Sequence, residues 1–129
     1  MTTQEEIKYW INIAEQDLPV AQSLFDNGHY MYCLFIGHLI LEKILKAHYV
    51  KDNKKTPPKT HNLVYLADRI NVSFTEEEKV YLFDVNTFNI ATRYPDYTNV
   101  FYKKCTKSFT ENNLKRIKEF YKWMRSILK

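Results

Sequence analysis

The sequence predicts an all-α fold, an antiparallel bundle of four to five helices, and three observations carry that prediction. Apolar residues recur at spacings of three and four through most of the chain, the signature of helices that each bury one face. Only two glycines and four prolines punctuate 129 residues, too few for the many tight turns of a barrel or sandwich. No segment alternates apolar and polar residues as a half-buried strand would. The length suits one domain spanning residues 1–129 with one real core, and 18 tyrosines and phenylalanines make that core aromatic-rich.

Thr2 or Thr3 caps the first helix, with Glu5 and Glu6 well placed in its first turn. Ile7, Trp10, Ile11, Ala14, Leu18, Ala21 and Leu24 form its apolar stripe, which Pro19 interrupts with a kink before Asn27-Gly28 ends the element. A second helix runs from about His29 to Lys51. Its first half is apolar on nearly every side, so it is the central helix; its second half turns amphipathic. "KDNKKTPPKT" is a polar loop. "HNLVYLADRI" is a short third helix capped by Thr60 or Asn62. Thr75 and Glu78 form a capping box for the fourth, whose entry Phe74 brackets with Lys79 or Val80. Its stripe reads Val80, Phe83, Thr87, Ile90, Ala91, and it ends at or before Arg93, because Tyr94 precedes a proline. Residues 98–108 are expected to hold a short helical turn. Thr110 then caps a last helix with Leu114, Ile117, Phe120, Tyr121, Met124, Ile127 and Leu128 as its stripe.

The net charge of +4 is compatible with nucleic acid or an acidic partner and compels neither. Cys33 and Cys105 lack metal-ligand spacing, and Cys33 sits in an apolar run as a buried thiol. No signal-peptide core opens the chain, and its longest apolar run, "YMYCLFIGHLIL", is too short to span a bilayer, so a cytoplasmic protein without membrane contact is expected. Glycine-rich phosphate loops and serine or cysteine nucleophile motifs are absent, so no catalytic residue is identified and no cofactor is called for.

Two groups of residues carry chemistry. His38 and Glu42 share one face of the second helix with Lys46 one turn on, and Glu42 requires a partner if buried: His38, Lys46 or Arg93. That set, with His61, reads as a structural ion pair or a polar pocket; as a metal site it lacks ligands. The second group is "RYPDY". Arg93 can grip a phosphate through two parallel hydrogen bonds, Tyr94 or Tyr97 can stack on a base, and Asp96 can take a ribose hydroxyl or pair with Arg93. Lys43 and Lys46 add positive charge if they line the same groove. The plainer reading makes the segment a helix exit locked by Arg93 and Asp96.

The stretches "YWINIAEQDLPVAQSLFDNGHY", "FIGHLILEKILKAHYV", "KTHNLVYLADRI" and "IATRYPDY", in that order and spacing, resemble HEPN domains over nearly the whole chain. The closest likeness is to small prokaryotic members often paired with a minimal nucleotidyltransferase. The resemblance implies a dimerising helical bundle, nucleotide or RNA as ligand, and a toxin-antitoxin setting. It does not import the ribonuclease activity of many members, which uses an Arg-x(4–6)-His motif. Here every histidine (His29, His38, His48, His61) precedes the first arginine, Arg69, so the motif has no His. The expectation is a non-catalytic module that binds nucleotide, or partners a nucleotidyltransferase, as a homodimer. An unconventional or degenerate ribonuclease toxin, or a structural dimeric scaffold, is the alternative.

Overall fold

The computed structural model describes residues 1–128. Among them are six helices: α1 (Thr3–Asp26), α2 (Tyr30–Asn53), α3 (Leu63–Ala67), α4 (Glu76–Arg93), α5 (Pro95–Lys104) and α6 (Lys107–Ser126). α2 is the hub and meets each of the other five. Leu34, Ile40, Leu41, Ile44 and Leu45 on it are wholly buried, because its apolar residues fall on every side and each side receives a neighbour. Gly37 lies tight against α6, where an added Cβ would lie 2.7 Å from the Ile117 side chain.

The first turn of α1 is fixed by a capping box between Thr2 and Glu5. The helix is continuous across Pro19 and ends in a reversal at Gly28, whose φ of +80° glycine adopts without strain. The amide of His29 donates to the Leu24 carbonyl (2.8 Å) and that of Gly28 to the Phe25 carbonyl (3.0 Å), closing the helix end. α4 starts on the Thr75–Glu78 capping box read from sequence.

The structure corrects four details. α2 continues into the stretch read as loop, to Asn53, whose amide donates to the Arg69 carbonyl (2.9 Å); Asp52 accepts from the Asn71 amide (2.8 Å). These bonds fasten the α3–α4 connection to the α2 end. Pro95 opens a helix rather than only closing one, since a proline at the first helical position loses no needed N–H. That makes six helices where four to five were expected. α6 begins at Lys107 with Thr106 as its cap, accepting from the Phe109 amide (3.2 Å); Thr110 lies inside the helix, buried, its hydroxyl without a partner among the described residues. Phe74 packs on Phe120 and Trp123 of α6. Finally, α4 buries Tyr81, Leu82, Val85, Phe88, Asn89 and Ala91, leaving Val80, Phe83 and Ile90 exposed.

Candidate functional site

The site is built around one buried carboxylate. Glu42 stands on α2 with its side chain only 6% exposed, and both its oxygens are held. Oε2 accepts from the Lys46 ammonium one turn on (3.0 Å), and Oε1 accepts from Nδ1–H of His61 (2.7 Å). Two charge-assisted donors are what a buried carboxylate needs to offset its lost hydration. Lys46 also lies over the Trp10 ring, 5.2 Å from its centroid, so α1 closes this side.

His61 arrives from the loop before α3. Asn62 next to it caps that short helix, accepting from the amides of Val64 and Tyr65 (3.1 and 3.2 Å). Asn86 of α4 ties the same loop down, accepting from the Leu63 amide (2.9 Å) and donating to the Asn62 side chain (3.1 Å). The His61 carbonyl accepts from Nε2–H of His38 (2.7 Å). Backbone and ring of His61 are thus both fixed, while its side chain stays 55% exposed.

His38 is wholly buried and is the connecting piece. Because Nε2 carries its proton, Nδ1 is a lone pair, and the Asn89 amide nitrogen lies 3.4 Å from it. Desolvation pushes the His38 pKa down to about 4, against the smaller opposing effect of Glu42, so the ring is neutral. At 3.9 Å its Nδ1 therefore forms no ion pair with Glu42. With its NH2 turned to His38, Asn89 presents its oxygen to Arg93, whose Nε–H donates to it at 2.7 Å. One polar path runs from Lys46 through Glu42, His61, His38 and Asn89 to Arg93.

Arg93 and His61 open on the same cavity, about 330 Å³, whose walls also include Asn86 and Asn89 with apolar surface from Phe83 and Ile90. The Arg93 side chain is exposed at the end of α4, and no carboxylate of the described residues pairs with it. Asp96 therefore does not lock it. Its guanidinium sits 5.3 Å from the Tyr94 ring centroid. Tyr94 and Tyr97 are exposed rather than packed, and Thr98 bonds the Ala91 and Tyr94 carbonyls (3.0 and 2.9 Å), which secures the α4–α5 corner in their place. Tyr97 lines a neighbouring apolar groove of about 440 Å³ with Ile90, Val100, Phe101 and Lys104. Lys43 and Lys46 do not join the Arg93 groove. Lys43 pairs with Asp17 of α1, and Lys46 is spent on Glu42.

A larger cleft, about 750 Å³, lies between α1 and α6 around Leu18, Pro19 and Tyr121, with Lys118 and Lys122 on its walls. It shares no residue with the Glu42 network, and Lys118 there is engaged by Gln22. The smaller cavity is the one where a guanidinium and an oriented imidazole converge.

Sequence reading missed Asn86 and Asn89. The signal for Asn89 was present: an Asn one turn before Arg93 on a helix can reach its guanidinium, and polar burial there needs a partner. The thiols offer no second site. Burial pushes Cys33 up to about 12 and Cys105 up to about 11, leaving both protonated and unreactive.

A bundle around one central helix, with a polar network surfacing in a cavity at the end of its fourth helix, defines a helical module. The model of the HEPN domain matches residues 7–127, and the chain belongs to that family. The fold is shared with the crystal structure of TT1696 from Thermus thermophilus, at a TM-score of 0.77 and 19% identity, over 93% of this chain and 96% of that one. Nothing matches among curated proteins. No described helix is long and apolar enough to cross a membrane.

Proposed function

We propose that this HEPN domain is a nucleotide-binding module that works as a homodimer or beside a minimal nucleotidyltransferase, as in a toxin-antitoxin pair. The observation that carries the binding half is Arg93. Its Nε is anchored on Asn89, no described carboxylate neutralises it, and the cavity beside it has room for a phosphate and a sugar. Tyr94 and Tyr97, both exposed near it, supply ring faces for a base. The partner half rests on the outer surface of α4 and α5, where Val80, Phe83, Ile90 and Val100 stand exposed together with those tyrosines. Calorimetry with ATP, GTP and short RNA oligonucleotides tests the binding half. Saturable binding to the intact chain, weakened at least about tenfold in Arg93→Ala, supports it; no heat from any of them refutes it.

One observation favours RNA cleavage as the second reading. No histidine follows Arg93 in the chain, but His61 lines the same cavity and is backed by Glu42. Cleavage of an RNA oligonucleotide that disappears in both Arg93→Ala and His61→Ala would select this reading over simple binding.

A further inference from the structure

We infer that His61 reads a ribose hydroxyl, making the Arg93 cavity selective for ribonucleotides over deoxyribonucleotides; this rests on the nucleotide-binding reading above. The tautomer of His61 decides the matter. With the Lys46 ammonium on its other oxygen, the Glu42 carboxylate offers only acceptors, so the ring nitrogen it touches at 2.7 Å, Nδ1, carries the proton. In the neutral ring, Nε2 of His61 is then a lone pair. It can accept a hydrogen bond and cannot donate one.

The surroundings make that choice rigid. Lys46 holds the other oxygen of Glu42 (3.0 Å), and the neutral His38 holds the His61 carbonyl (2.7 Å), so neither the carboxylate nor the loop is free to turn. The ring is half exposed on a cavity that a guanidinium also lines. An anion satisfies Arg93, but an anion alone gives Nε2 only another acceptor to face. The ligand that satisfies both groups carries a phosphate and, within a sugar's width of it, a hydroxyl that donates. A ribonucleotide has both. Its deoxy analogue puts a C–H where the donor should be, and leaves the lone pair unmet. The oxygens of Asn86 and Asn89 each already accept one bond, from the Leu63 amide and from Arg93.

The test is calorimetry of the intact chain with ATP, 2′-deoxyATP and 3′-deoxyATP, in wild type, His61→Ala and His61→Phe, with far-UV circular dichroism confirming each fold. The expected result is that at least one deoxy analogue binds about fivefold or more weakly than ATP to wild type. In both variants the three nucleotides should bind within about twofold of one another. Two results overturn the inference alone: equal binding of all three by wild type, or discrimination that survives loss of the imidazole. Absence of binding by any nucleotide overturns the underlying reading and this inference with it. Nitrogen-15 spectra of the imidazoles give an independent check. His61 should show its proton on Nδ1 in wild type and lose that preference in Glu42→Gln; a dominant Nε2–H form in wild type contradicts the assignment.

Discussion

The two faces of α4 have nearly the same apolar content and opposite fates. One carries Leu82, Val85 and Phe88 into the core; the other leaves Val80, Phe83 and Ile90 in solvent. Phe83 is 64% exposed and Val100, on the neighbouring α5, is 74% exposed, although either would suit a core. Asn89 lies on the buried side and Arg93 at the end of the exposed one, so the polar network crosses from one face to the other along a single helical turn. Periodicity reports apolar faces without saying which one the monomer covers. A helix with two such faces has one to spare for something outside itself.

Four measurements probe that contrast. The largest effect belongs to the inner face: Leu82→Ala removes a wholly buried side chain and should cost about 2–5 kcal/mol in urea unfolding. Next is acid. Burial lowers the folded-state pKa of His38 to about 4 from an ordinary 6.5, and that of His48 is lowered by the same cause. Protonation therefore favours the unfolded chain. The stability held by His38 is complete above about pH 6.5 and declines as pH falls from there through 4, by up to about 3 kcal/mol. Unfolding free energies that stay level over that interval would contradict the buried, neutral assignment. Thr75→Ala removes the cap that serves both faces and should cost about 1 kcal/mol, read as a shift in the urea midpoint. The smallest effect on stability is expected from the outer face. Phe83→Ser with Val100→Ser should change it by less than about 0.5 kcal/mol. The same pair should weaken self-association in analytical ultracentrifugation, and an unchanged monomer–dimer balance would remove this face as the contact.

The bundle is legible in the sequence because α1 and α6 each have one dominant apolar face and α2 is apolar on nearly every side of its first half. Ile7, Ile11, Ala14 and Ala21, and later Leu114, Ile117 and Met124, are buried as their spacing requires. The α4 stripe misleads for the reason just given. Pro95 reads as a stop because the restriction it places on Tyr94 is local and visible, whereas its fitness to begin α5 depends on the residues that follow it. In the site, Glu42 with Lys46 follows from helical spacing, and His61 with Glu42 does not. That pair joins α2 to a loop across the bundle, and nothing in the order of residues fixes such a meeting. Arg93 is exposed, as its place beside the proline suggests, but its anchor is Asn89, one turn back on its own helix, and not Asp96. Lys43 and Lys46 face α1 and Glu42 because α2 turns that edge away from α4.

Side-chain resonances of isotopically labelled protein, followed while ATP is added, decide whether the Arg93 cavity is the binding site. The Nε–H of Arg93, the amide of Asn89 and the ring of His61 should shift together and saturate at one concentration. Shifts confined to Lys118, Tyr121 and their neighbours in the α1–α6 cleft, with Arg93 unmoved, would contradict it.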